Sequence, residues 1–238
     1  MIGGGLIGRG MIGKGMIKAV VTDIEGTTTP IDFVARTLFP YARAHLADFL
    51  RAHADDPEVA RQLAATRDLA GDPTLDRAGV ITTLIGWIDE DRKATPLKAL
   101  QGMIWARGYE TGAFQAEVYD DVPGALKAWA DQGLRLFCYS SGSVAAQKLL
   151  FAHTGHGDLT PLFEGYFDTV LGPKLEAASY AKLAAEIGLM PDEILFLSDL
   201  PGELAAAAAS GLHTARLDRE CCGQGCADFH EISQGYFR

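Results

Sequence analysis

The chain has 238 residues and a formal net charge of −10, with 48% hydrophobic and 22% charged residues. That length holds one large domain or a core with an inserted smaller one. The acidic balance excludes the basic face that a nucleic acid or an anionic membrane would select, and no apolar run reaches the roughly 18 residues a membrane span needs.

Residues 1–15 are rich in glycine, with Ile, Met, Arg and Lys between. They lack the continuous apolar stretch and cleavage site of a secretory signal. The expectation is a flexible leader or a cloning scar, with Met16 as the natural start. Residues 17–21 form an apolar, β-branched run, as a strand covered on both faces requires. Gly26 and Pro30 stop it. Asp23 and Glu25 therefore stand at its carboxyl end, where ligands bind in open α/β sheets. Two acids placed there repel each other unless a cation or a proton lies between them.

From residue 33 the period becomes helical. Apolar residues at 34, 38, 41, 46 and 49 predict a helix over 33–53, and Pro57 opens a second. A third helix is expected over 75–88. Thr95 is expected as the N-cap of a fourth, which ends before Gly108 and Gly112. No strand is legible between 30 and 120. A helix over 123–132 then leads to an apolar strand, 134–139, that runs into Ser140-Ser141-Gly142-Ser143. Further strands are expected at 167–171, 194–198 and 213–217, with helices at 144–153, 176–187 and 202–209 between them. Alternation of this length implies βαβ units and a parallel sheet whose strand ends share one edge. The predicted fold is α/β: a doubly wound parallel sheet over 16–32 and 117–238, with an inserted all-helical cap over 33–116.

Cys138 reads as a small buried hydrophobe. Cys221, Cys222 and Cys226, with His213 and His230 nearby, lack a CxxC pair and zinc spacing. They are expected to be reduced thiols of a cytoplasmic protein.

The shared edge collects Asp23, Glu25, Ser140, Ser141, Lys174 in the loop after the third strand, and Asp199 with Glu203 beyond it. Such a set suits phosphoryl transfer. A phosphate monoester carries nearly two negative charges, which carboxylate-held Mg²⁺, hydroxyl and backbone donors and a lysine neutralise. A carboxylate attacks phosphorus, and a second carboxyl group two residues on handles the leaving-group proton.

Asp23-Ile24-Glu25-Gly26-Thr27-Thr28, Ser140-Ser141-Gly142-Ser143 and Ser198-Asp199 resemble the motifs of the haloacid dehalogenase superfamily. With Thr95 to Gly102, Ala146-Gln147-Lys148 and Gly165 to Thr169, the resemblance over 16–220 narrows to the enolase-phosphatases of methionine salvage. Most of the superfamily has Asp two residues after the nucleophile; here it is Glu25. The resemblance implies a catalytic pair, Asp23 as nucleophile and Glu25 as proton-handling group. It implies substrate and phosphate binding by Ser140, Ser141 and Lys174. One Mg²⁺ per chain is implied at Asp23, the Glu25 carbonyl and Asp199, with Glu203 orienting Asp199 or a metal-bound water. The implied reaction is enolisation and then dephosphorylation of 2,3-diketo-5-methylthiopentyl 1-phosphate, by a monomer. Phe33, Trp87, Trp105 and Tyr109 are candidates for the methylthio tail, and Lys98 for the pocket. A generic Mg-dependent capped phosphatase of small organic phosphates and a catalytically silent phosphometabolite-binding regulator are the alternative readings.

Overall fold

Five parallel strands form one sheet in the order β3-β2-β1-β4-β5. The structure, a computed structural model, describes residues 16–220, 223 and 225–237. The expected leader over 1–15 and the thiols of Cys221 and Cys222 lie outside the described residues. At the centre is β1 (Ala19–Thr22), buried along its whole length. It pairs with β2 (Arg135–Tyr139) on one side and β4 (Ile194–Ser198) on the other, so Val20 stands opposite both Leu136 and Leu195. The outer strands are β3 (Gly165–Phe167), beside β2, and β5 (His213–Arg216), beside β4. The third strand thus lies earlier than 167–171. The residues after Phe167 turn away to bind backbone instead, with the Asp168 carboxylate accepting from the Val144 and Val170 N–H groups.

Between β1 and β2 the chain is helical, as its periodicity predicts. The short helix α1 (Ile31–Phe33) passes through a π-helical turn, Val34–Leu38, into α2 (Phe39–Ala52). A π turn leaves a carbonyl out of the regular ladder, and such turns cluster at functional sites. Here the Trp105 indole N–H donates to the Leu38 carbonyl at 2.8 Å. Next come α3 (Pro57–Ala70) and α4 (Arg77–Asp89), capped by the Asp56 and Asp76 carboxylates. The last helix of this group, α5 (Thr95–Glu110), differs from expectation at both ends. Thr95 is its first helical residue and Ala94 its cap, with no side-chain cap bond. It also continues through Gly108, where a Cβ would collide with Phe114 and Tyr41, and the chain turns only at Gly112, with φ +68°. Leu46, Leu50, Leu84 and Leu100 centre a separate buried cluster within these helices.

The remaining helices cover the sheet. One face takes α6 (Asp121–Asp131) and α7 (Val144–Ala152), whose Leu126, Trp129 and Phe151 share a core with Val20 and Leu195. The other takes α8 (Ala177–Ile187) and α9 (Pro201–Ala209), which bring Tyr180, Leu183 and Ala207 against Val21 and Phe196. A terminal helix absent from the sequence reading, α10 (Phe229–Tyr236), adds Phe229 and Ile232 to the first face. Its Ser233 hydroxyl accepts the Trp129 indole N–H at 2.9 Å. No helix among the described residues is long and apolar enough to cross a membrane.

Candidate active site

Parallel pairing carries the ends of β1, β2 and β4 to one edge, and the chemistry collects there. Beyond β1 the backbone folds into a tight loop, in which the Ile24 carbonyl accepts from the N–H groups of Thr27, Thr28 and Thr29. Gly26 closes it with φ +72°, a conformation disfavoured for residues with a Cβ. A Cβ there would also strike the Asp199 carboxylate. The two acidic strand ends therefore touch across a glycine. The Asp199 N–H donates to Thr27 Oγ1 at 3.1 Å, which fixes the β4 end on the β1 loop.

Asp23 is buried, and its Oδ1 receives the Lys174 ammonium at 2.6 Å. The same ammonium lies 2.7 Å from Glu203 Oε2, which also accepts from Ser198 Oγ at 2.9 Å. Glu203 thus pairs with Lys174 and Ser198 rather than with Asp199. All three charged side chains are about 5–6% exposed. Burial by itself would lower the Lys174 pKa; the Asp23 and Glu203 carboxylates outweigh it and raise it. Glu203 is pushed up by burial and then by Asp23, against the pull of Lys174. The Lys174 backbone is held as well, its carbonyl accepting from the Tyr180 hydroxyl at 2.8 Å.

Ser140 and Ser141 sit where β2 turns into α7, and the Ser143 hydroxyl caps that helix on Ala146 N–H. A helix N-terminus offers free N–H groups and a favourable dipole to an anion. Gln147 secures the turn, donating to the Gly142 carbonyl at 2.8 Å and the Phe167 carbonyl at 2.7 Å. From α5, Lys98 donates to the Ser141 carbonyl at 3.3 Å, so the helical insertion reaches this turn.

A cavity of about 440 Å³ opens between the helices and the sheet edge. Glu25, Ser140 and Ser141 are among its walls, whereas Asp23, Lys174 and Asp199 are not. The Glu25 side chain is solvent-accessible inside the cavity, yet the surrounding protein desolvates it. That burial, and next the Asp23 charge, raise its carboxyl pKa; Lys93 and Lys174 oppose the rise. The far walls are apolar, from Val34, Leu38, Phe39, Trp105 and Tyr109. Of the aromatic candidates, Trp87, Trp105 and Tyr109 line the cavity, while Phe33 is buried in the core. Sequence reasoning missed Lys93, Phe39 and Leu38; the 3.6-residue period marks the last as core and gives no sign of a cavity.

No cluster of three or more His, Cys, Asp or Glu side chains in metal-holding geometry occurs among the described residues. The donors suit a smaller protein contribution, two carboxylates and a backbone carbonyl, as expected for Mg²⁺, which keeps several waters. Two observations fit such an ion. Asp199 Oδ1 is buried with no hydrogen-bond partner. Burial and the Asp23 charge raise the Asp199 pKa, the repulsion a divalent cation would relieve.

The family profile of the haloacid dehalogenase-like hydrolases matches residues 17–211. The chain is 57% identical over 204 residues to the enolase-phosphatase E1 of Methylococcus capsulatus, covering 86% of this chain and 90% of that protein. Identity is also 57% to the enolase-phosphatase E1 of Pseudomonas aeruginosa, over 86% and 91% of the two chains. Among solved structures, the UTR4 protein of Saccharomyces cerevisiae superposes with a TM-score of 0.74 at 36% identity, over 85% of this chain and 90% of that one. The CbbY protein of Rhodobacter sphaeroides shares the fold, with a TM-score of 0.55 at 18% identity. The chain belongs to the haloacid dehalogenase-like hydrolases and, within them, to the enolase-phosphatases.

Proposed function

We propose that the chain converts 2,3-diketo-5-methylthiopentyl 1-phosphate to the acireductone 1,2-dihydroxy-3-keto-5-methylthiopentene, by enolisation and then dephosphorylation, in methionine salvage. The observation that carries this reading is Glu25. It stands two residues from a buried aspartate and opens onto the same cavity as the Ser140-Ser141 turn, with a raised pKa. The extra methylene of glutamate brings the carboxyl group about one bond length closer to the substrate carbons than aspartate would.

The contacts support the following roles. Substrate phosphate sits against the Ser140-Ser141 turn and the N-terminus of α7, with Lys174 supplying the point charge. Glu25 accepts the carbon-bound proton beside the C2 carbonyl, which gives the enolate and leaves Glu25 protonated. The Asp23 carboxylate then attacks phosphorus, forming an aspartyl phosphate as the ester P–O bond breaks. Protonated Glu25 delivers its proton to the leaving oxygen and next takes one from the water that hydrolyses the aspartyl phosphate. Its raised pKa suits a group that must hold and release a proton. Asp23, Asp199 and the Glu25 carbonyl would hold Mg²⁺, whose charge offsets that of the phosphoryl oxygens. Trp87, Trp105 and the aliphatic walls take the methylthio tail and exclude water.

The test is an assay on the diketo phosphate that follows enol absorbance and phosphate release together. Both signals, with phosphate release dependent on Mg²⁺, are expected. Phosphate release from many small monoesters with no enol signal would instead make the chain a general phosphatase.

A further inference from the structure

Enolisation creates a negative charge on the C2 oxygen, away from the oxygens of the phosphate. When the C–H bond at C1 breaks, its electron pair forms the C1–C2 double bond. The carbonyl pair then moves onto the C2 oxygen, and a donor facing that oxygen lowers the barrier. The other cations near the site already have partners. Lys174 is shared between Asp23 and Glu203. Lys98 donates to the Ser141 carbonyl. The Arg92 guanidinium lies over the Trp87 ring at 4.4 Å.

Lys93 is different. It lines the cavity with Glu25, its Nζ standing 5.4 Å above the ring of Phe39, another wall residue. Among the described residues its one carboxylate contact is Asp91 Oδ1 at 2.5 Å, two residues away and largely exposed. An exposed ion pair of this kind contributes little and exchanges readily for a better acceptor. The loop that carries Lys93 is held firmly. Arg92 N–H donates to the Trp87 carbonyl at 2.8 Å and Ala94 N–H to the Arg92 carbonyl at 2.9 Å. Asp91 has φ +53°, the only non-glycine residue with positive φ among the described residues. Strained backbone of this kind clusters at functional sites.

We propose that Lys93 is a catalytic residue of the enolisation half-reaction, its ammonium contacting the C2 oxygen of the bound diketone from the helical insertion, opposite Glu25. This rests on the enolase-phosphatase reading. The proton leaving C1 goes to the Glu25 carboxylate. Lys93 hydrogen-bonds the forming oxyanion and gives it a proton, completing the enol. The neutral amine recovers its proton from water, which reaches it because the Lys93 side chain is 59% exposed. No oxidant or other co-reactant is needed.

The test measures three rates for the wild type, Lys93→Met and Lys93→Arg: enol formation from the diketo phosphate, entry of solvent deuterium at C1, and phosphate release from p-nitrophenyl phosphate, which cannot enolise. Lys93→Met is expected to slow enol formation and deuterium entry by about 10²–10³-fold, the usual loss for one oxyanion donor. Its phosphate release from p-nitrophenyl phosphate should fall far less, and Lys93→Arg should restore most of the enolisation rate. Equal losses in all three rates, or a Lys93→Met protein that enolises at the wild-type rate, would overturn the proposal. A wild-type protein that forms no enol would instead remove the function reading beneath it.

Discussion

Lys174 reaches back 151 residues in sequence to place its ammonium 2.6 Å from Asp23 Oδ1, with Glu203 on its other side. Three charges share a space nearly closed to solvent, so each is stable only with its neighbours present. Breaking such a group costs more than the group contributes when intact, because the remaining charges stay buried and unpaired. Lys174→Met is expected to abolish phosphate release and to destabilise the fold by about 3–5 kcal/mol. Adding Glu203→Gln removes one orphaned carboxylate and should recover part of that stability, without recovering activity. Urea unfolding of the single and double variants checks the first expectation, and the phosphatase assay the second.

Gly26 lies between the two acidic strand ends. With φ +72° and the Asp199 carboxylate against the position a Cβ would take, Gly26→Ala strains the loop and displaces a proposed metal ligand. The backbone term costs about 1 kcal/mol. Displacing the ligand should weaken Mg²⁺ activation about 10–100-fold, the usual loss when the support of a ligand is disturbed. Activity titrated against Mg²⁺ in the two proteins provides the check.

Glu25 and Asp199 have folded-state pKa values above their ordinary 4.5 and 3.8. Between those values and the raised ones, the folded protein binds more protons than the unfolded chain. Without metal, these two groups therefore make stability fall as pH rises through that window, and the loss is complete above it. Mg²⁺ binds the deprotonated Asp199 carboxylate, so its stabilisation grows over the window above 3.8 in which Asp199 loses its proton. Thermal unfolding should show a larger Mg²⁺-induced rise in Tm at about pH 7.5 than at about pH 5. A shift of equal size at both would contradict the proposed ligand set.

Arg219 ties the C-terminal segment to the catalytic loop. Its guanidinium donates to the Thr27 carbonyl at 2.6 and 3.1 Å, pairs with Asp121 at 2.9 Å, and lies 4.1 Å from the Tyr119 ring centre. Arg219→Met leaves Asp121 largely buried and without its ion pair, which should cost about 3–5 kcal/mol. It also frees Thr27, the residue that holds the Asp199 N–H. A fall in kcat larger than any change in KM is expected. Steady-state kinetics below the unfolding transition reads that split.

Much of the catalytic edge is legible before any coordinates, because its signals are local. Continuous apolar strands end in Asp23, Ser140 and Asp199, and a parallel sheet gathers such ends regardless of side-chain detail. What stays hidden depends on packing between distant segments. Glu203 looks like a partner for Asp199 four residues away, yet α9 turns it toward Lys174. Lys93 looks like any surface lysine until α4 and α5 bring their connecting loop over the cavity. Phe33 has the aromatic character of a pocket wall, but the short α1 turns it into the core. Helix α10 carries only two fully buried apolar residues, Phe229 and Ile232, too few for a periodic signal.

One carboxyl group serving both halves of the reaction is the claim on which the rest depends, and Glu25→Gln in a single turnover tests it most directly. With enzyme in excess over the diketo phosphate, enol absorbance and phosphate release are recorded together. Both signals are expected to be lost, in a protein that unfolds no more readily than the wild type and still binds Mg²⁺. Enol formation at the wild-type rate in that variant would contradict the claim.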